Sequence, residues 1–385
     1  MPNNKKTADT AKPAIPSGGF TLALSPSALS SSALGFMVVC LVVYLLHVSA
    51  AITIPFVLSV CLWYLINAMA RGLGRLCGPA LPRMVCFVIA ILFFATALWL
   101  TLTLINHNVR LVRAAIPTYQ ANLELMLPKL LAFFGLEREF FVGELKQYVN
   151  LTAVMTWIAA LFTGLAGKSM VVMFYTGFLL YEQQFFERKI QNIFSDKETE
   201  TRVRHILKNI DISMQRYISV KVVISAFIGL CTYLALKYFG VNFNQFWGLL
   251  AFVLNFIPYI GPLLSIGLPS VIALIQFGDV GTFFAVLAAL SAIQISLATL
   301  VDPRLPGATL NISPIMTIFS LAAWAMIWGV PGMFLAVPII AMVVITLGQF
   351  PQTRPIAVFL TKNGRIDTSD VPKEKIRKAA KRSKA

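Results

Sequence analysis

Ionisable side chains are rare in the apolar parts of this chain, so the few that border those parts are the first candidates for chemistry. They are Glu182, Lys221, Asp302 and Arg304. A charge inside a bilayer is costly, and those that occur there often exchange protons or bind ions. Glu182 and Lys221 could form an ion pair, and Asp302 could pair with Arg304 or hold a monovalent cation. The alternative for all four is interface anchoring or helix capping. This alternative is favoured for Lys221, and also for Asp279 in the turn GDVG at 278–281.

No familiar catalytic motif accompanies these residues. The sequence has no HExxH zinc motif, no phosphate-binding P-loop and no Gly-x-Ser-x-Gly nucleophile motif. Its histidines, His47, His107 and His205, are far apart, and none of its cysteines has metal-ligand spacing. We therefore predict no catalytic site, no metal and no other cofactor. Because the chain encodes no ATP-hydrolysing domain, any transport would be passive, coupled to an ion or driven by a partner.

A second kind of candidate site lies where proline and glycine interrupt apolar segments. The sequence NFIPYIGPLLSIGLP at 255–269 interrupts one segment, and Pro331, Gly332 and Pro338 interrupt another at 314–347. Proline removes a helical hydrogen bond, and a freed carbonyl group at membrane depth must lie inside protein or beside a water-filled cavity. Paired interruptions in a multi-span protein therefore indicate a route for a polar solute. The residues predicted to line or hinge this route are Asn255, Pro258, Tyr259, Gly261, Pro262, Gly332 and Pro338.

The asparagine and the two glycines of this set have expected roles. Asn255 comes shortly before Pro258, so its side chain is expected to satisfy an exposed carbonyl group, with direct contact to a solute as the alternative. Gly261 and Gly332 would permit close backbone approach or hinging, because glycine has no Cβ.

The composition predicts that these segments belong to an all-α polytopic membrane protein. Hydrophobic residues make up 58% of the chain and charged residues 12%, against about 25% charged residues in soluble domains. One span needs about 20 apolar residues, and the apolar runs accommodate about eight spans, two of them interrupted. We predict a disordered tail over 1–32, then spans 1–3 over 33–105 and an amphipathic helical subdomain over 106–160. Spans 4–8 follow over 161–350, with a charged linker over 183–216, and a basic tail covers 351–385.

Some boundaries inside this plan are marked by single residues. Pro117 and Pro128 are expected to bound helices of the subdomain. The fourth span is expected to start near Leu161 and to end at Glu182, with 151–160 lying along the membrane interface.

The distribution of charge predicts the orientation of the chain. Eight spans place both termini on one side, and the excess of Lys and Arg in the tails and in 183–216 makes that side cytoplasmic. The subdomain and the loop at 301–313, which contains Arg304, then lie outside. The turn GDVG at 278–281 lies inside, although it has no basic residue. The net charge of +16 needs no nucleic acid on this interpretation, and anionic lipid is the expected partner of the basic tail.

Three motifs in this order resemble the signature of the autoinducer-2 exporter family, the PerM-like permeases of the bacterial inner membrane. They are IPYIGP at 257–262, DPRLPG at 302–307 and WGVPGMFLAVPI at 328–339, and RYISVK at 216–221 and LLYE at 179–182 also fit. The resemblance implies an eight-span fold with an extracytoplasmic insertion, and a homo-oligomer, expected to be a pentamer. Its candidate residues in this chain are Glu182, Pro258, Gly261, Pro262, Asp302, Pro303, Arg304, Gly307, Gly332 and Pro338.

Three functions are compatible with this sequence. The leading prediction is a secondary transporter or exporter of a small polar metabolite, such as autoinducer-2, across the inner membrane. One alternative is a sodium(lithium)/proton antiporter that uses Glu182 and Asp302, because desolvation can raise the pKa of a carboxyl group toward the working pH. The other is an oligomeric scaffold that binds envelope partners.

Overall fold

The computed structural model describes residues 26–78, 82–133, 151–194, 196–297, 299, 311–350 and 352–364. These residues are helical apart from turns and one isolated β-bridge between Ile312 and Thr361. The prediction of an all-α fold is confirmed. Asp302, Pro303, Arg304 and Gly307, together with most of the two tails, lie outside the described residues.

The chain divides into two compact units, Met1–Val48 and Ser49–Ala385. The first unit contains helix α1, Pro26–Val48, whose start precedes the predicted start of the first span. The helices of the second unit are α2 (Ala50–Cys77), α3 (Arg83–Phe133), α4 (Leu151–Glu182), α5 (Phe186–Ile193), α6 (Lys197–Tyr238), α7 (Asn244–Leu254), α8 (Ile260–Phe277), α9 (Val280–Ser296), α10 (Pro314–Trp328), α11 (Val330–Gly348) and α12 (Arg354–Leu360).

Among the described residues, 5 helices are long and apolar enough to cross a membrane. They are α2, the first part of α3, most of α6, α8 and α11, while α7, α9 and α10 are apolar but shorter. The chain is therefore a multi-pass membrane protein, as its composition predicts.

Three helices extend further than the sequence suggests. Helix α3 has 51 residues, about 76 Å at 1.5 Å per residue, and it continues through Pro117 and Pro128. The predicted helix boundaries at these prolines are wrong, because a proline outside the hydrocarbon leaves carbonyl groups that water can satisfy. Helix α4 starts at Leu151 rather than near Leu161. The linker at 183–216 is largely helical, since α6 begins at Lys197 and runs on into the fifth predicted span.

A cluster of buried residues joins α6, α7, α8, α9 and the hairpin formed by α10 and α11. At its centre Trp247, Leu250 and Leu290 are almost fully buried. Helices α6 and α7 approach closely because two glycines face each other. A Cβ added to Gly229 would lie 2.8 Å from the carbonyl oxygen of Gly248, and the reverse distance is also 2.8 Å. Such close contact between small residues is a common source of packing energy between helices in membranes.

The first interrupted segment folds back on itself as a hairpin of α7 and α8. Near the C-terminal end of α8, the Gln276 amide nitrogen donates to the carbonyl oxygen of Gly240 at 2.8 Å, and its Oε1 accepts from the backbone N–H of Asn242 at 2.8 Å. Gly240 and Asn242 directly precede α7. Both ends of the segment therefore lie on the same side, and the segment is re-entrant, an arrangement that the sequence leaves open.

The second interrupted segment is also a hairpin, formed by α10 and α11. The hydroxyl of Ser320 in α10 donates to the carbonyl oxygen of Ala336 in α11 at 3.2 Å, so these helices are antiparallel about the turn at Gly329. The backbone N–H of Ser313, ahead of α10, donates to the carbonyl oxygen of Leu360 at the end of α12. The start of α10 thus lies beside the segment that follows α11.

These two hairpins correct the predicted sides of two loops. The turn at 278–281 lies on the side of the 240–242 loop, and Asn311–Ser313 lie on the side of Thr361 and Lys362. The sequence-based topology placed the members of each pair on opposite sides. Two of the eight predicted crossings are therefore re-entrant hairpins.

Candidate functional site

The tip of the α7–α8 hairpin is a short irregular segment, Asn255–Tyr259, at the position predicted from the proline and glycine pattern. Ile257 N–H donates to Leu254 O at 2.8 Å, and Gly261 N–H donates to Ile257 O at 3.0 Å. Helix α7 has 11 residues and α8 has 18, so this tip lies about 16 Å from the start of α7 and about 27 Å from the end of α8. We call this segment the first tip.

The first tip contains a strained turn at Tyr259. This residue has φ 63° and ψ −55°, and Ile260 N–H donates across it to Pro258 O at 2.7 Å. That combination is a γ-turn with positive φ, which is rare and strained for a residue with a side chain. Backbone strain of about 1–3 kcal/mol persists only where the surrounding structure imposes it, and it is enriched at functional sites.

The second tip is Gly329–Phe334, the turn between α10 and α11 together with the first residues of α11. Gly329 has φ 64° and ψ −139°, a conformation that is essentially restricted to glycine. Pro331 lies in the first turn of α11, where the missing N–H costs little. Pro338 lies inside α11, which continues to Gly348, so the prediction that Pro338 interrupts this segment is wrong. In a hairpin the chain reverses only once, and Gly329 provides that reversal.

Beside the first tip and within the second, a glycine is packed against the preceding helix. A Cβ on Gly261 would lie 1.9 Å from Leu254 O, and a Cβ on Gly332 would lie 2.0 Å from Trp324 O. Real Cβ atoms do not approach backbone oxygen atoms this closely, so both positions require glycine. The predicted close backbone approach at Gly261 and Gly332 is thus observed in the structure.

The two tips contact each other. The rings of Phe256 and Phe334 are stacked with centroids 4.6 Å apart and an interplanar angle of 27°. Around them Trp324 and Val330 of the second hairpin pack against the buried cluster that contains Leu254. The two interrupted segments, far apart in sequence, therefore form one site.

Two buried hydrogen bonds attach the first tip to neighbouring helices. Asn255 donates from Nδ2 to the Ser225 hydroxyl in α6 at 2.9 Å. Gln294 in α9 donates from Nε2 to the Ser265 hydroxyl in α8 at 3.0 Å, and Ser265 donates to Pro262 O at 3.0 Å. The expected role of Asn255 as a cap for a carbonyl group is replaced by a cross-helix bond. Ser225 was not predicted, because a single serine in an apolar run gives no signal until its partner is known.

Two of the four charged candidates, Glu182 and Lys221, lie within the described residues. Glu182 forms an ion pair with Lys189 instead of the predicted partner Lys221, and the side chains of Lys189 and Glu182 are 57% and 48% exposed. Lys221 is partly buried in α6. No group of three metal-ligating side chains occurs among the described residues.

Asp279 caps helix α9, as its favoured role predicts. Its carboxylate accepts hydrogen bonds from the Thr282 hydroxyl at 2.7 Å, from Thr282 N–H at 2.7 Å and from Gly281 N–H at 3.2 Å. These bonds, the Thr282 hydroxyl first, hold the pKa of Asp279 below its ordinary value of 3.8. The residue is exposed and acts as an N-cap.

The fold and the paired tips define the class of this protein, a multi-pass α-helical membrane protein whose two re-entrant hairpins meet inside it. Residues 34–352 match the sequence model of the AI-2E family transporters. The chain belongs to this family, which places it among transport proteins.

Two curated relatives illustrate the relationship. AI-2 transport protein TqsA of Escherichia coli K12 is 28% identical over 319 residues, which cover 81% of this chain and 90% of the relative. A Borreliella burgdorferi protein named as a transport protein is 25% identical over 327 residues, which cover 83% of this chain and 89% of the relative. The family assignment suggested by the sequence motifs is thereby confirmed.

Proposed function

We propose that this protein is a secondary transporter that moves a small polar metabolite such as autoinducer-2 across the bacterial inner membrane, with both termini in the cytoplasm. The family assignment supports transport in general. TqsA is named as an AI-2 transport protein, and its 28% identity to this chain supports autoinducer-2 as the substrate.

The observation that carries the proposal is the contact between the two tips. Interrupted helices expose backbone groups that a polar solute can bind, and such breaks lie at the substrate site in many transporters. Phe256 and Phe334 close the space between the tips in this conformation. Separation of the two rings would open a route beside Asn255, whose side chain is held by Ser225.

A disulfide between the tips tests the proposal. In a variant whose native cysteines are all replaced, Phe256→Cys and Phe334→Cys place a thiol pair across the contact. Proteoliposomes loaded with labelled autoinducer-2 should release it in the reduced state, stop releasing it after oxidation, and recover with dithiothreitol. The matched control is Ser320→Cys with Ala336→Cys, two neighbouring positions of α10 and α11 within one hairpin, and its oxidation should leave release unchanged.

The same vesicles separate the alternatives. A pH-sensitive dye reports proton movement driven by Na⁺ or Li⁺, and a cation-driven signal with no autoinducer-2 release would replace the exporter by an antiporter. Release that continues after the Phe256–Phe334 positions are crosslinked would contradict a route between the tips. Absence of any flux in a folded protein would favour the scaffold.

A further inference from the structure

A polar cavity lies between the middle of α3 and the start of α7, apart from the tips. Its volume is about 390 Å³, within the range of about 300–1,000 Å³ typical of small-molecule sites. Leu111 and Phe243 supply apolar surface. The polar residues that line it are His107, Asn108, Asn242, Asn244 and Gln245.

The described residues that line the cavity offer mainly carboxamide groups. Among the described residues that line it, none is Asp, Glu, Lys or Arg. Four carboxamides and one imidazole offer both hydrogen-bond donors and acceptors. We propose that this cavity is a binding site for a neutral polyhydroxylated solute of pentose size, located at the end of α7 opposite the first tip. This inference rests on the proposed function, because it makes the cavity the outer binding site of the transported solute.

The three asparagines are oriented by bonds from their amide nitrogens. Asn108 Nδ2 donates to Leu104 O at 2.8 Å, Asn242 Nδ2 to the Tyr119 hydroxyl at 3.1 Å, and Asn244 Nδ2 to Val241 O at 3.2 Å. Each bond fixes the plane of a carboxamide and leaves its carbonyl oxygen to accept a hydrogen bond. Asn108 is only 4% exposed, so a hydroxyl group of a solute is a suitable partner for its oxygen, because buried polar atoms are normally bonded.

Two further lining residues can supply donors. Gln245 and His107 are exposed, and both side chains can donate as well as accept. The first turn of α7 has no side-chain cap, so acceptors of a ligand could satisfy its leading N–H groups. Phe243, which precedes that turn, has φ 57°, a conformation that is uncommon for a non-glycine residue. Its ring packs edge-on against Tyr119 and borders the cavity, where it could cover the apolar face of a sugar ring.

Charge selects against other solute classes. An anionic solute finds no cationic side chain among the described lining residues, and a cation finds no carboxylate. A fully apolar solute would leave the carboxamides without partners, which costs about 1–3 kcal/mol for each buried polar group. Hydroxyl groups match both the donors and the acceptors of this cavity.

Direct binding measurements test the site. Full-length protein in nanodiscs is titrated with D-ribose, with D-ribonate as the charged analogue, and followed by saturation-transfer NMR. We expect ribose to bind, ribonate to bind at least tenfold more weakly, and Gln245→Leu or His107→Leu to weaken ribose binding at least tenfold. The matched control is Gln191→Leu, which alters an exposed glutamine of α5 outside the cavity and should bind ribose like the wild type.

The outcomes separate this site from the proposed function. Unchanged ribose affinity in both Gln245→Leu and His107→Leu would overturn the site, as would equal binding of ribose and ribonate. Ribose binding that depends on Gln245 in a protein without solute flux would support the site while the transport proposal fails. A third outcome is that the Phe256–Phe334 crosslink blocks flux while Gln245→Leu changes neither flux nor ribose affinity. That result would support the transport proposal and contradict this site.

Discussion

At the scale of single residues, the two tips solve the same steric problem in the same way. In each, the chain turns so sharply that the first turn of the second helix presses on a carbonyl oxygen of the helix before it. Gly261 lies against Leu254 O and Gly332 against Trp324 O. A side chain at either position would displace backbone, not a flexible side chain, so the tip itself would have to move.

Gly261→Ala should therefore distort the first tip. Its Cβ would lie 1.9 Å from Leu254 O, and overpacking of this kind costs about 1–3 kcal/mol or more. We expect a lower thermal unfolding midpoint in detergent and a loss of solute release from proteoliposomes. Gly267→Ala is the matched control in the same helix, because no atom lies within 4 Å of its Cβ position. An alanine at 261 that matches the Gly267→Ala variant in both measurements would contradict this account.

The capping of α9 by Asp279 gives a pH-dependent contribution to stability. The pKa of Asp279 is lowered in the folded protein, so its contribution is present above the unfolded value, 3.8, and is lost as the pH falls through the lower folded value. Asp279→Ala should lower the thermal midpoint at pH 7, and the difference from wild type should shrink below about pH 4. Thermal unfolding of both proteins between pH 7 and pH 3 measures this difference. A constant difference over that range would exclude a role of the carboxylate charge.

At the scale of elements, the first tip combines a proline that ends the helix with a residue forced into positive φ. Tyr259 is 54% exposed, so packing of its ring does not explain why a residue with a side chain occupies the γ-turn. Glycine at this position would relieve the backbone strain, whereas a β-branched residue would increase it.

We expect Tyr259→Gly to raise the thermal midpoint or leave it unchanged, and Tyr259→Val to lower it. The expected difference between these two variants is about 1–3 kcal/mol, the usual cost of one strained backbone conformation. Thermal unfolding in detergent gives the order, and solute release shows whether the tyrosine ring itself is needed. If Tyr259→Gly were the less stable variant, the turn would owe its conformation to ring contacts and not to backbone constraint.

The sequence predicts the helices and the first tip well, and the physical reasons are local. Long apolar runs specify helices in a bilayer because all backbone groups must be satisfied internally, and NFIPYIGP places the first tip at Asn255–Tyr259. Proline alone predicts a helix interruption less well than proline combined with glycine. Helix α3 continues through Pro117 and α11 continues through Pro338, whereas the second tip depends on Gly329.

The contacts that complete the site could not be predicted in the same way. The fold-back of α7 and α8 depends on the hydrogen bond from Gln276 to Gly240. The anchoring of Asn255 depends on its bond to Ser225, and the contact between the tips depends on the stacked rings of Phe256 and Phe334. Each of these pairs is separated in sequence, and none leaves a periodic pattern. A single sequence therefore indicates where the chain is interrupted but not whether the interrupted segment crosses the membrane or returns.

At the scale of the whole molecule, the two re-entrant hairpins fit the distribution of charge better than eight full spans do. In the eight-span arrangement the GDVG turn lies on the cytoplasmic side without a basic residue, and the loop with Arg304 lies outside, both against the tendency of basic residues to remain inside. In the observed arrangement the turn is on the side of the 240–242 loop, and Asn311–Ser313 are on the side of Lys362. With the orientation predicted from the sequence, this arrangement places the GDVG turn outside and Asn311–Ser313 inside.

Thiol labelling of two positions decides between these arrangements. In a variant whose native cysteines are replaced, we expect Asp279→Cys to react with a membrane-impermeant maleimide in spheroplasts, as Lys237→Cys does on the outer side. Asn311→Cys should react only after permeabilisation, as the cytoplasmic reference Lys189→Cys does. Eight full crossings reverse both results, because they place 279 inside and 311 outside. Reaction at 279 from outside, together with protection at 311, would establish the re-entrant arrangement in the membrane.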